Sequence, residues 1–163
     1  MRTPFEPRVT VAAVVCQNGR YLLVEEDTSE GVRLNQPAGH LDAGESLVDA
    51  AIRETLEETT RTLTPEGLLG VYLATTQANA SRPSVTYLRF AFVGHVGDPV
   101  AGRRLDKGIR RTVWLTSDEI RAQSALHRSP LVMRCIEDHA SARPLSALSL
   151  LYADASALHL AAR

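Results

Sequence analysis

Gly39-His-Leu-Asp-Ala-Gly-Glu45-Ser-Leu-Val-Asp-Ala-Ala-Ile-Arg53-Glu54-Thr-Leu-Glu57-Glu58 is the stretch from which the rest of the chain is read. It opens as a loop over 39–44 with two glycines. Ser46 and Asp49 then have the spacing of a helix-starting capping box, with Asp in place of the usual Glu. From there to about Thr59, the residues Val48, Ala51, Ile52, Thr55 and Leu56 recur at helical spacing and predict one apolar face. Glu54, Glu57 and Glu58 stand at i, i+3 and i+4, so they share a second face. At about 100° per residue, that face is expected to point away from the core, toward a cleft or solvent. Like charges at this spacing repel by a few tenths of a kcal/mol per pair, and Arg53 is one cation against three anions. A divalent cation would supply the missing charge. Hard Mg²⁺ takes oxygen ligands and keeps several waters, and an ion so held can grip phosphate oxygens and activate water. A solvated acidic helix face is the alternative reading of these glutamates alone.

Outward from this segment, Val9–Cys16 and Arg20–Glu25 are β-rich runs around Asn18-Gly19, which reads as a hairpin. Residues 27–31 read as a polar loop and 33–36 as a short strand that Pro37 closes. Leu68–Thr75 and Val85–Val96 read as strands, separated by a polar loop over Gln77–Ser84. A Gly-, Pro- and Arg-rich loop over 97–108 leads to a short strand at 111–115. Thr116 or Ser117 caps a helix to about Ala125, and a second helix runs from Pro130 to Ala140. The tail from Ser141 shows little periodicity. Strands on both sides of one long helix, then a terminal helix, predict an α+β fold with a mixed sheet flanked by helices.

The bulk properties narrow the function classes. At 163 residues the chain is sized for one domain, 1–163, and a net charge of −1 offers no field for a nucleic acid polymer or an anionic membrane. No stretch approaches the roughly 20 apolar residues of a membrane span, and the N-terminus lacks a signal-peptide pattern, so the expected location is cytoplasmic. Cys16 and Cys135 have no CxxC partner. They read as buried thiols of a reducing compartment.

The quoted segment resembles the box of the Nudix hydrolase family, Gly-x5-Glu-x7-Arg-Glu-U-x-Glu-Glu-x-Gly-U, where U is bulky and apolar. Gly39, Glu45, Arg53, Glu54, Glu57 and Glu58 all fall in place. From average residue usage, chance would produce this on the order of 10⁻⁵ of the time in such a chain. Thr55, Thr60 and Arg61 depart from the pattern. Thr60 replaces a glycine suited to a left-handed helix cap, so the helix exit is expected to differ. The resemblance implies the Nudix fold, with residues 39–61 as its loop-helix-loop. It further implies that Glu54, Glu57 and Glu58, with the Gly39 carbonyl, hold Mg²⁺ or Mn²⁺. In that reading Arg53 orients a glutamate and Glu45 braces the loop. A helix glutamate such as Glu57, or a carboxylate from a later loop, takes the proton of the attacking water. No Glu lies between Glu66 and Glu119, which leaves Asp106 as the loop candidate.

Val9-Thr-Val-Ala-Ala-Val-Val, Val24-Glu-Glu, Asn35-Gln-Pro-Ala-Gly-His40, Tyr87-Leu-Arg-Phe90 and Arg128-Ser-Pro-Leu-Val132 resemble the NudJ phosphatase subgroup. That resemblance implies hydrolysis of nucleoside tri- and diphosphates, and of hydroxymethylpyrimidine diphosphate, with release of orthophosphate. His40, Arg89, Arg128 and Gln36 are the candidate substrate-binding residues. The expected partner is a small phosphorylated molecule, and the expected state a monomer or small homo-oligomer. A Nudix pyrophosphatase of ADP-ribose or another nucleotide sugar is the rival enzyme reading. A nucleotide-binding module without turnover is the rival outside catalysis.

Overall fold

The computed structural model describes residues 5–78 and 83–158. Among the described residues seven strands form one mixed sheet. β1 (Arg8–Gln17) and β2 (Arg20–Thr28) are joined by a turn at Asn18 and Gly19, whose φ values of 51° and 73° suit the primed turn that the Asn-Gly pair favours. The two strands pair only at the hairpin end, Cys16 with Tyr21 and Gln17 with Arg20, and then part. Two wings result. In one, β1 runs parallel to β6 (Thr86–Val96) and antiparallel to β4 (Ala38–His40), and β5 (Leu63–Thr75) pairs β6 at the edge. In the other, β2 lies between β3 (Gly31–Asn35) and β7 (Ile109–Leu115).

Alternation along β1 divides the core between the two faces. Val11, Ala13 and Val15 pack with Leu22, Phe92, Val96 and the Ala50-Ala51 pair of α1 (Leu47–Thr59). Val14 faces the other way, with Leu23, Ala91, Val93 and the buried row Leu131, Val132, Cys135 and Ile136 of α3 (Leu131–Ala140). Helices thus cover both sides, the sandwiched mixed α+β sheet expected from the sequence. Before α3, Thr116 caps α2 (Ser117–Ala122) in a complete capping box with Glu119. That helix stops short of the expected Ala125, and Ser124–Leu126 continues as a 3₁₀ turn. In the tail, Ser146 bridges to Leu68, a 3₁₀ turn follows at Leu148–Leu150, and α4 spans Ala155–Leu158. The loop expected over Gln77–Ser84 includes residues 79–82, which lie outside the described residues, as does His159.

Three expectations change. First, the loop expected from Gly39 begins with a strand: β4 pairs Gly39 with Val11 and His40 with Thr10. Pro37 does not end pairing, because its carbonyl accepts the Ala13 N–H at 2.9 Å. Second, β5 starts at Leu63 and not Leu68; it tolerates Pro65 as an edge strand and absorbs irregularities at Pro65/Gly67 and Leu68/Gly70. Third, the buried side of α1 consists of Ala50, Ala51, Thr55 and Thr59, while Val48, Ile52 and Leu56 are only half-buried. The helix is therefore rolled toward its glutamates. Buried Thr55 satisfies its hydroxyl by donating to the Ala51 carbonyl at 2.7 Å.

Candidate active site

The site begins where α1 lies against β4. Ser46 caps the helix by accepting the Asp49 N–H at 3.1 Å. One turn further on, Arg53 reaches back across the loop. Its Nε and Nη2 donate to the two Glu45 oxygens at 3.0 and 2.7 Å, and Nη2 also donates to the His40 carbonyl at 2.9 Å. Nη1 donates to Glu54 at 2.7 Å and Glu57 at 3.1 Å. One guanidinium thus ties the loop, β4 and two helix carboxylates into a fixed arrangement, which its planar fork of five donors allows.

Glu54 rests directly against Gly39, and a Cβ at that position would collide with its carboxyl. Glu58 turns inward and accepts the Ala38 N–H at 2.9 Å. The glutamate face is therefore not simply directed to solvent: Glu54 and Glu58 are wedged between helix and sheet, and Glu57 is the more open. Burial pushes Glu58 up to about 8; the Ala38 N–H opposes this, and Glu54, Glu26 and Asp106 add to it. Burial likewise raises Glu54, against the pull of Arg53. Burial also disfavours ionised Glu45, but the bonds from Arg53 and the Asp42 N–H outweigh it and hold its pKa below the usual value.

These residues fit a hard divalent cation. Three carboxylates share one helix face, two are held in a seam between helix and sheet with Arg53 as the neighbouring cation, and the missing side chain at Gly39 lets the Glu54 carboxyl lie against the strand backbone. Among the described residues no three such groups are already gathered in cation-holding geometry. Glu54 and Glu57 are instead turned toward Arg53.

The loop carrying Asp106 docks on the end of the helix. The Asp106 N–H donates to the Glu57 carbonyl at 2.9 Å, and its exposed carboxylate adds to the negative field at Glu58. Thr60 takes the left-handed cap conformation (φ 58°, ψ 15°), and its N–H donates to the Leu56 carbonyl at 3.0 Å. The helix exit therefore keeps the glycine-type geometry despite a β-branched residue. Arg61 follows, donating to the Gly97 carbonyl at 2.6 Å and lying over Trp114.

Beyond Ala38 and Gly39, a cleft of about 1290 Å³ opens between the two wings. Thr10, His40, Tyr87 and Arg89 come from one wing, Glu26 and Asn35 from the other, and Ser124 to Met133 close one side. Of the candidate substrate residues, His40, Arg89 and Arg128 line this cleft. His40 tilts toward Tyr87, with ring centroids 6.2 Å apart. Gln36 does not line it. It is fully buried beneath, donating to the Val132 carbonyl at 2.8 Å and accepting from Arg89 Nη1 at 3.3 Å. It therefore holds Arg89 in place.

Glu26, Thr10 and Asn35 were not singled out in the sequence as site residues. Burial raises Glu26, against Arg128 and Arg89. The available signal was alternation: Glu26 continues the Leu22, Val24 row of β2, where an apolar side chain would be ordinary. The cysteines are free; Cys135 is buried, with its thiol pushed up to about 11, and Cys16 is half-buried.

This combination of a glycine-backed, arginine-ordered glutamate helix on a sandwiched mixed sheet defines a class. The sequence profile of the NUDIX domain matches residues 6–135. The chain belongs to the Nudix family, whose members generally use divalent cations, and is a hydrolase of pyrophosphate bonds. Within that family it is similar to Phosphatase NudJ of Escherichia coli strain K12, at 38% identity over 138 residues, 84% of this chain and 86% of that protein. A Nudix hydrolase structure from Nitrosomonas europaea superimposes with a TM-score of 0.85 at 48% identity, covering 92% of this chain and 99% of the other. An ADP-ribose pyrophosphatase from Streptococcus suis shares the fold alone, at TM-score 0.59 and 15% identity over 85% of this chain and 94% of the other. Among the described residues no helix is long and apolar enough to cross a membrane.

Proposed function

We propose that this hydrolase removes terminal phosphate, as orthophosphate, from nucleoside tri- and diphosphates and from hydroxymethylpyrimidine diphosphate, with Mg²⁺ as its working cation. The reading is supported most directly by the pairing of the glutamate seam with a roomy polar cleft at Gly39-His40, together with the likeness to Phosphatase NudJ. Glu54, Glu57 and Glu58 would hold the cation, with the Gly39 carbonyl beside them. When bound, it supplies positive charge to the phosphate oxygens and lowers the pKa of water. Arg53 fixes Glu54 and Glu57 and is itself fixed by Glu45. Glu57, the more open of the set, or Asp106 from the neighbouring loop, takes the proton from the attacking water. His40 and Arg128 stand on the cleft wall for substrate contact. A single domain acting in the cytoplasm on a small phosphorylated molecule, as a monomer or small homo-oligomer, completes the proposal.

The test is product identity. Orthophosphate released directly, without added inorganic pyrophosphatase, supports terminal-phosphate removal. Phosphate seen only after that coupling enzyme would move the cleavage to the inner bond. Phosphomonoesters from ADP-ribose alone would replace this reading with the nucleotide-sugar one.

A further inference from the structure

The chain after α3 lies beyond residues 6–135, which match the NUDIX profile, yet it returns to the catalytic helix. It first crosses the edge of β5, where Ser146 and Leu68 exchange both backbone hydrogen bonds at 2.9 Å. Gly67 makes room for the crossing: a Cβ there would stand 2.8 Å from the Leu145 Cβ and 3.1 Å from the Ser146 carbonyl oxygen. Leu148 and Leu151 then pack against the core that contains Leu68, Phe92 and the Ala50-Ala51 pair. Leu41 of the box loop and Leu47 of the first turn of α1 flank that same core.

From Leu151 onward the tail faces the box loop itself. Leu151, Ala153 and Ala157 line a cavity of about 300 Å³ whose other side is formed by Leu41, Glu45 and Leu47. Asp154 sets the turn into α4, its Oδ1 accepting the Ser156 N–H at 2.9 Å. Glu45 on the cavity wall is the residue that grips Arg53, and the two side chains are 16% and 27% exposed. Ion pairs open to water are weak and loosely held, so cover beside Glu45 bears on how firmly Arg53 is fixed. Arg53 in turn holds Glu54 and Glu57. The cavity under the tail and the cleft between the wings share no lining residue. The tail therefore bears on the glutamate arrangement and not on the walls of the cleft.

We propose that residues 145–157 form a strap that holds the box loop against the sheet, and that Leu148 and Leu151 are positioning residues for Glu45 and, through Arg53, for Glu54 and Glu57. This rests on the reading of those two helix glutamates as cation ligands. The strap is anchored at one end by the Ser146–Leu68 bridge and along its middle by the two leucines. Two amides report on the loop it covers: the Leu41 N–H donates to the Val9 carbonyl at 3.1 Å, and the Asp42 N–H donates to Glu45 at 2.8 Å.

The experiment uses the full chain with Leu148→Ala and Leu151→Ala combined, and with Leu151→Met as the conservative variant. Ile136→Ala, a loss in the core on the opposite sheet face, is the comparison for general destabilisation. Hydrogen exchange of residues 41–47 is read by mass spectrometry, Mg²⁺ is titrated by calorimetry without substrate, and kcat and KM are measured with CTP. The double variant should exchange its loop amides about 10-fold faster, bind Mg²⁺ more weakly, and lose about 10-fold in kcat through misplaced carboxylates with KM little changed. Leu151→Met should match wild type. Ile136→Ala should lower the melting point while loop exchange, Mg²⁺ affinity and kcat stay near wild type. Unchanged loop exchange in the double variant would overturn the strap. So would faster exchange with Mg²⁺ affinity and kcat both unchanged, or Ile136→Ala losing as much of each as the double variant. If wild type turns over no CTP but loop exchange and Mg²⁺ affinity still shift together in the double variant alone, the strap stands and the phosphatase reading fails.

Discussion

Arg53 and Glu45 are joined by two hydrogen bonds, Nε to Oε2 at 3.0 Å and Nη2 to Oε1 at 2.7 Å, although eight residues separate them in the chain. The same guanidinium reaches Glu54, Glu57 and the His40 carbonyl. The box loop and the glutamate face are therefore tied together by one side chain, and in the proposed reading the chemistry depends on a residue that need not touch substrate. Lysine has one nitrogen and cannot span these partners. Arg53→Lys is expected to lower kcat at least about 10-fold through misplaced carboxylates, with a smaller change in KM. A steady-state kinetic comparison decides it, and an unchanged kcat would remove Arg53 from this role.

Glu58 gives a pH prediction. Its folded pKa, near 8, lies above the usual carboxylate value because the site is buried and shared with like charges. The folded state then favours the protonated form. The sign follows: the folded chain is relatively favoured at low pH, and it loses that advantage as pH rises from the ordinary carboxylate range through about 8. Above pH 8, metal-free Glu58→Gln should melt higher than metal-free wild type, by about 5 °C, while the amide oxygen still accepts the Ala38 N–H. Added Mg²⁺ should raise the melting point of wild type more than that of the variant. Melting curves at pH 6 and pH 9, with and without Mg²⁺, read both effects; identical curves for the two proteins would contradict the assignment.

Thr60 occupies a left-handed backbone conformation that β-branched residues rarely adopt. Such a conformation costs an L-residue roughly 1–2 kcal/mol, which glycine avoids in the folded state. Thr60→Gly should therefore stabilise the chain, by up to about 1 kcal/mol after the added freedom of the unfolded glycine is counted. Chemical denaturation with an unchanged m-value checks this. A loss of stability would show that the buried Thr60 side chain contributes more than its backbone costs.

Gly39 has no space for a side chain, because the Glu54 carboxyl lies where the Cβ would be. Gly39→Ala must displace Glu54 or part β4 from α1. We expect at least a 10-fold loss of turnover, with β4 pairing retained by a melting point within a few degrees of wild type. Normal turnover would mean that Glu54 is free to leave Gly39 without consequence.

The parts of the fold that were legible in the sequence are those set by local chemistry. Asn18-Gly19 marked the hairpin, Ser46 and Thr116 marked helix starts, and the spacing of Arg53 and the glutamates marked the proposed site. What the sequence hid depends on partners distant in the chain. Gly39 looks like a loop residue until β1 is beside it, and Pro65 looks like a breaker until β5 is known to be an edge. The roll of α1 that buries Glu58 follows from the small Ala50, Ala51 and Thr55 closing on the sheet, which outweighed the larger but half-buried Val48, Ile52 and Leu56. Glu26 and Thr10 are ordinary strand residues in the sequence, and only the parting of the wings turns them into a cleft floor.

The most direct test of the central claim is orthophosphate release from CTP and from hydroxymethylpyrimidine diphosphate, with and without Mg²⁺, by wild type and Glu57→Gln. The account predicts direct, Mg²⁺-dependent release by wild type and a loss of at least about 10²-fold in the folded variant. Release that needs no divalent cation, or that persists near the wild-type rate in Glu57→Gln, would contradict it.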